Sequence, residues 1–345
     1  MNYIGSKRGL LDFIDLAVSH CDVKKNNIVF CDLFSGTGNV AKHYKKKGYQ
    51  VIANDLEDFS FSLINHYIGN SNSIKVSKYL DKLNQLSGID TGFIFNNYCP
   101  SGKYSAFTKK DNTVVHRRYF NDQNGKIIDE ARSLIDQWLH SNEIDQNTYS
   151  FLLAIILESA DKVANTTSVY GAFLKDYKKG ADKPIRFSII DNIISDNRNS
   201  VYKEDSNTLI KKISGDILYL DPPYNNRQYG ANYHLLNTIS KNDSPNIRGV
   251  TGMRDSNTSL WCKKSEVEKV FKDLIENANF DYILLSYNNE GLMSHETIKI
   301  IMEEYGEYSV IEKDYSRFKA DKEHEKRKYK AKSVIEYIHI LKKNR

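Results

Sequence analysis

With 345 residues, 40% of them hydrophobic and 27% charged, the chain carries enough apolar surface for a sizeable core in one large domain or two. Met1 to Arg8 lack the apolar stretch of a secretory signal and no later run approaches the roughly 18 apolar residues of a membrane span, so a cytoplasmic protein without a membrane segment is expected. Cys21, Cys31, Cys99 and Cys262 are scattered, with no Cys-x-x-Cys pair and no His at ligand spacing, which argues against a zinc or other metal site and against a disulfide framework. The net charge of +5 is mild but unevenly placed. From Lys313 to Lys332 nine Lys/Arg face four Asp/Glu, and Lys103 to Arg118 holds five cations against Asp111 alone, with Tyr104, Phe107 and His116 interleaved. Cations mixed with aromatic rings suit phosphates and stacked bases, and equally suit a solvated loop.

In chain order, Tyr3-Ile4-Gly5-Ser6-Lys7 leads into a helical apolar spacing at Leu10, Leu11, Phe13, Ile14, Leu16 and Ala17. Ile28 to Phe34 is a β-rich run that breaks at Ser35-Gly36-Thr37-Gly38; a helix follows over 39–47, and Gln50 to Asp55 forms a second strand ending in an acid. Strand, glycine loop, helix and strand make a nucleoside-binding βαβ unit, in which glycines let a ligand approach the backbone and Asp55 is placed for ribose hydroxyls. Gly36-Thr37-Gly38-Asn39-Val40-Ala41 also fits the G-x-G-x-x-G/A dinucleotide fingerprint, so these residues alone leave a nicotinamide enzyme open. Helices are expected over 59–68 and 73–86. The pattern then changes between residues 93 and 199, with a loop signature at Asn96 to Gly102 and helices over 125–140 and 145–164. Asn199 to Asp205 returns to strand character. Ile217 to Leu220 is a buried strand stopped at Asp221 by Pro222 and Pro223, which cannot donate ladder hydrogen bonds. A carboxylate, a carbonyl fixed by two locked φ angles and the ring of Tyr224 then share a strand's carboxyl end, an arrangement suited to a flat group bearing an amino donor. Asp281 to Gly291 reads as one more buried strand with a polar tip, with 308–311 and 334–341 as a final antiparallel pair.

Asp221-Pro222-Pro223-Tyr224 resembles the signature of the amino-group DNA methyltransferases, and Asp32-Leu33-Phe34-Ser35-Gly36-Thr37-Gly38 resembles their methyl-donor motif. The order of donor motifs, intervening module and Asp-Pro-Pro-Tyr is that of the Dam-like adenine-specific class. The extended run Asn225 to Asn237 looks like adenine methylases of type IIS restriction-modification systems, of the FokI-companion kind. The resemblance implies an α/β fold: a Rossmann-like S-adenosylmethionine-dependent methyltransferase sheet with helices on both faces, formed by residues 1–92 and 200–345, plus an inserted, mainly helical target-recognition domain over 93–199. The implied activity is site-specific transfer of a methyl group from S-adenosylmethionine to the exocyclic 6-amino group of a flipped-out adenine in double-stranded DNA, within a restriction-modification system. Asp221, Pro222, Pro223 and Tyr224 would be catalytic. The donor would be held by Tyr3, Ile4, Gly5, Lys7 (at its carboxylate), Asp32, Phe34, Ser35, Gly36, Thr37, Gly38, Asn54, Asp55, Asp205 (at its adenine amine) and Ser206. DNA contacts would come from Lys103, Arg117, Arg118, Asn165, Lys175, Arg227, Gln228, Tyr229, Arg317 and Lys319. A cognate restriction endonuclease is an implied partner in the same system, without a stable complex. The leading Asp points to adenine, since cytosine-directed relatives usually begin this tetrad with Ser, and RNA- and protein-directed ones with Asn. Those substrates, and nicotinamide oxidoreduction, are the alternatives.

Overall fold

The computed structural model describes residues 1, 3–70, 72–316 and 333–344. The chain forms two compact units, one comprising residues 5–56, 195–228 and 258–345, the other residues 1–4, 57–194 and 229–257.

The first unit is a seven-stranded sheet. Its strands are β1 (Val29–Asp32), β2 (Gln50–Asn54), β3 (Ser200–Tyr202), β4 (Ser214–Leu220), β5 (Asn279–Asn288), β6 (Gly306–Ser316) and β7 (Ser333–Lys343), in the spatial order β6-β7-β5-β4-β1-β2-β3. β3, β2, β1, β4 and β5 run parallel, and β7 and β6 are antiparallel additions. The central strands carry near-continuous apolar runs because strands of a parallel sheet are covered on both faces: Phe30 and Cys31 of β1, Ile217 to Leu220 of β4 and Ile283 to Leu285 of β5 are all fully buried. Helices Leu11–Ser19, Asn39–Lys46, Val267–Asn277 and His295–Glu303 belong to the same unit. Phe271, Leu274, Ile275, Ile298 and Met302 pack with the sheet residues in one core. This is the mostly parallel, Rossmann-like sheet expected from the sequence. Strand order reverses at β1, with β2 on one side and β4 on the other, and in open α/β sheets ligands bind beyond the carboxyl ends at such a point.

The second unit is mainly helical, with Asp58–Ile64, Ser77–Asn84, Phe93–Tyr98, Asp122–His140, Gln146–Val163 and His234–Lys241. Phe151 to Leu157 are buried on every side, so Gln146–Val163 is its central helix. Asn121 and Asp145 start the two long helices by accepting the backbone N–H of Asn124 and Thr148. Two short ribbons, Ala106–Thr108 with Val114–His116 and Ile247–Arg248 with Met253–Arg254, complete it. This compact unit takes in residues 57–92 and 229–257, where the sequence reading breaks the chain at 92/93 and 199/200. The added pieces are tied in by long-range bonds: buried Arg132 donates to the carbonyls of Ile239 and Ser240, and Asn237 accepts from the backbone of Phe59. Among the described residues no helix is long and apolar enough to cross a membrane.

Candidate active site

β4 delivers Asp221 to the carboxyl edge of the sheet, where Pro222 is buried and Tyr224 half-buried. The Asp221 carboxylate lies 3.2 Å from the Lys7 ammonium, which is itself buried, 3.7 Å from Glu336 and 5.9 Å from the centre of the Tyr224 ring. Burial pushes the Asp221 carboxyl up to about 6, and the charge and hydrogen bond of Lys7 oppose that rise. For Lys7 burial acts to lower the pKa, but the combined pull of Asp221, Glu336 and Tyr224 raises it, so the side chain is a fixed cation.

One strand over, β1 ends in the glycine loop. Gly36 and Gly38 take φ of 52° and 75°, a left-handed backbone that glycine adopts without strain. The loop is fastened by main-chain bonds from Ser35 to Asn54 at 2.9 Å and from Gly38 to Ser35 at 2.7 Å. The Gly36 amide donates to Asp55 Oδ2 at 2.8 Å. Asp32 is buried beneath the loop: Oδ2 accepts the Ala41 amide of the following helix, while Oδ1 makes no hydrogen bond. Burial first, then the neighbouring charge of Asp221, pushes this carboxyl up to about 8. Asn54 binds three strand tips together, donating to the carbonyls of Leu33 and Glu204 and accepting the Glu204 amide. Beyond β3, exposed Asp205 caps the turn Ser206–Leu209 through the Asn207 and Thr208 amides. Buried Ser206 accepts the indole N–H of Trp261 at 3.0 Å, and Trp261 meets Phe34 edge-on at 5.1 Å.

A carboxylate and a glycine loop thus lie at the carboxyl ends of neighbouring strands. The family of D12 class N6 adenine-specific DNA methyltransferases matches the chain over residues 3–301. The chain belongs to this family. The methyltransferase is 49% identical over 346 residues to the type II methyltransferase M.NlaIII of Neisseria lactamica, an alignment covering 99% of both proteins. It is 37% identical to M.FokI of Planomicrobium okeanokoites over all of this chain, which spans only 53% of that relative. It is 34% identical to M.CviAII of Paramecium bursaria Chlorella virus 1 over 93% of each.

The structure gathers most of the sequence-designated donor residues of the methyltransferase into the sheet unit: Gly5, Lys7, Asp32, Phe34 to Gly38, Asn54, Asp55, Asp205 and Ser206. Tyr3 and Ile4 fall in the helical unit instead, where the Ile4 amide donates to the Tyr233 hydroxyl and the Tyr3 ring stacks on Tyr233 at 4.9 Å. The donors and carbonyl of Asn54 are all engaged by main chain, which makes it a brace of the strand tips rather than a group presented to a ligand.

The DNA-contact designations divide more sharply. Arg117 is 4% exposed and donates to the carbonyls of Asn97, Tyr104, Gly249 and Val250, so it cross-links the interior instead of meeting phosphate. Asn165 is fully buried; its side chain donates to the carbonyls of Arg118 and Leu174 and accepts the Lys178 amide. Gln228 pairs through both ends of its amide with the backbone of Ser259. These three are corrected to structural roles, since each polar side chain is satisfied by main chain the sequence does not place beside it. Lys103, Lys175 and Arg227 are exposed; Arg118 donates to the Lys175 carbonyl and lies over the Tyr177 ring, and Tyr229 is half-buried beside Tyr3. Arg317 and Lys319 lie outside the described residues. Two residues of the site escaped the sequence reading, Trp261 and Glu336. Their signals were present: Trp261 is one of only two tryptophans, and Glu336 is the lone acid within the apolar run Val334 to Leu341.

Proposed function

We propose that the methyltransferase moves a methyl group from S-adenosylmethionine to the 6-amino group of an adenine turned out of duplex DNA, and that it protects sites from a cognate endonuclease. What supports this reading above all is the placement of Asp221, a half-buried carboxylate at the end of β4 held against Lys7, one strand away from the glycine loop. The residues present fit the donor: Asp55 at the tip of β2 suits ribose hydroxyls, the Phe34 and Trp261 rings suit a nucleobase, and Asp205 offers a carboxylate to an adenine amine. When bound, S-adenosylmethionine would supply an electrophilic sulfonium methyl group for the lone pair of the adenine nitrogen.

The chain's own residues make that lone pair available. An aromatic amine delocalises it into the ring. By accepting hydrogen bonds from both amine protons, the Asp221 carboxylate and the Pro222 carbonyl favour a pyramidal nitrogen. Once the nitrogen carries the methyl group it is strongly acidic, and Asp221 takes one of its protons, leaving the neutral secondary amine. Tyr224 stacks on the extruded base, worth about 1–3 kcal/mol by analogy with single-strand binders. Tethered positioning supplies most of the rate. Asp221→Ala abolishes methylation of duplex DNA while donor binding, followed by calorimetry, stays within a few-fold of the unmodified protein; retained transfer refutes the mechanism.

DNA reading falls to the helical unit. Its ribbon Ala106–Thr108/Val114–His116 is exposed along both strands and flanked by Lys103, Lys109 and Lys110. A two-stranded ribbon fits the major groove, and the lysines suit phosphates. Mapping modified adenines in DNA from cells expressing the protein identifies the site, and labelling of RNA, protein or cytosine in preference to adenine in duplex DNA overturns the substrate assignment.

A further inference from the structure

Glu336 is buried in β7 directly across from Asn288 of β5, and one of its carboxylate oxygens makes no hydrogen bond. A buried carboxylate without hydrogen-bond partners is costly, by about 1–3 kcal/mol or more, and an apolar side chain would serve the sheet better. That same oxygen points at a charge: Oε2 lies 3.7 Å from Lys7 Nζ, whose other neighbour is Asp221 at 3.2 Å. One ammonium therefore stands between two carboxylates, and the trio carries a net charge of −1. We propose that Glu336 is a positioning residue for methyl transfer: it shares Lys7 with Asp221, so that the cation fixes Asp221 without reducing its basicity to that of an ordinary salt-bridged carboxylate. The inference rests on the reading of Asp221 as the group that accepts the amine protons.

The physical reason lies in two opposed demands. Asp221 has to be ionised when the amine arrives, which a lone buried carboxylate resists and a nearby ammonium promotes. It also has to take a proton from the methylated nitrogen, and a carboxylate locked in an exclusive ion pair with Lys7 is a poor base. A second carboxylate beside Lys7 offsets part of the cation's field at Asp221, and Glu336 does act to raise the Asp221 pKa while Lys7 lowers it. The other titratable groups acting within this cluster are Asp32, Tyr219 and Tyr224, with Asp55 acting on Asp32 and Glu290 on Tyr224. None of these five is within ion-pairing distance of Lys7 in the described structure, so Glu336 and Asp221 are its two anionic partners.

The test is the pH dependence of single-turnover methyl transfer under saturating donor and duplex DNA. In Glu336→Gln the acid limb of the rate moves down by about one pH unit, because Lys7 now pairs with Asp221 alone, and the plateau rate falls several-fold while DNA and donor affinities hold. Glu336→Asp, which keeps the charge, retains the limb near its original position. Asn288→Asp, which adds a carboxylate opposite Glu336, moves the limb upward and provides a second reading should Glu336→Gln fold poorly. A merely structural Glu336 lowers the melting temperature of Glu336→Gln and leaves the limb where it was; an unmoved or raised limb in that variant, or an unmoved limb in Asn288→Asp, overturns the proposal. Asp221→Asn, measured alongside, separates the two levels: an active Asp221→Asn removes the underlying reading and the proposal with it, whereas an inactive one with an unmoved limb in Glu336→Gln removes the proposal alone.

Discussion

Replacing Arg117 by Met tests most directly whether a cation in the basic segment serves DNA or the fold. Met preserves much of the volume and removes the charge together with every donor. The structure assigns that guanidinium four carbonyl acceptors, Val250 at 3.0 Å, Gly249 at 2.9 Å, Tyr104 at 3.0 Å and Asn97 at 3.3 Å. The Asn97 contact is buried and the other three partly so, which leaves water a route to some of the orphaned groups. With hydrogen bonds to charged groups contributing about 1.5–3 kcal/mol each when fully buried, and allowing for rehydration, the expected loss is about 3 kcal/mol in the helical unit. For a unit of this size that corresponds to a melting temperature lower by about 6–12 °C. The assay is thermal and urea unfolding beside duplex-DNA affinity measured at several salt concentrations. An Arg that met phosphate would behave oppositely, with unfolding unchanged and the salt dependence of log K shallower by about one. That second pattern refutes the structural role.

The exposed lysines are expected to show just that opposite pattern. Lys103→Ala combined with Lys175→Ala reduces the slope of log K against log[salt] by about 2 and leaves the melting temperature within a degree or so; an unchanged slope removes both from the DNA interface. Asp32 offers a pH test. Its folded-state carboxyl is pushed up to about 8 from an ordinary value near 4, so the folded protein retains a proton that the unfolded chain releases. The stability linked to that proton is fully present below about pH 4 and is lost as the pH rises toward 8. Asp32→Asn, uncharged throughout, should therefore gain on the unmodified protein steadily between pH 4 and 8 in urea unfolding; a difference that stays flat across this window contradicts the assignment.

Local sequence located strand ends and the glycine loop well and the partners of buried polar side chains poorly, for a physical reason. Gly36, Gly38, Asp55, Asp221 and the two prolines act through backbone conformation and strand-end position, and both are legible within a few residues of each. Arg117, Asn165 and Gln228 take their roles from partners far along the chain. Arg117 meets Val250 at a separation of 133 positions, and Gln228 meets Ser259 at 31. Nothing in a run such as His116-Arg117-Arg118 distinguishes the arginine that turns inward from the one beside it. Glu336 presented the converse difficulty: a single acid in a strand has no meaning until Lys7, at the opposite end of the chain, is placed beside it.

The interleaving of the two units also bears on how the protein is made. β1 lies against β4, and the Val29 amide bonds to Asp216, 187 positions later. The helical unit likewise needs residues 229–257, which follow Asp221 to Tyr224. A ribosome adding about 5–20 residues per second leaves the glycine loop without its β4 neighbour for roughly ten to forty seconds, with apolar β1 residues such as Phe30 and Cys31 unpaired on that side. Neither unit can therefore close as an early domain during synthesis. The methyltransferase is expected to fold late and almost all at once, with a high-contact-order transition and a need for chaperone shelter while it waits.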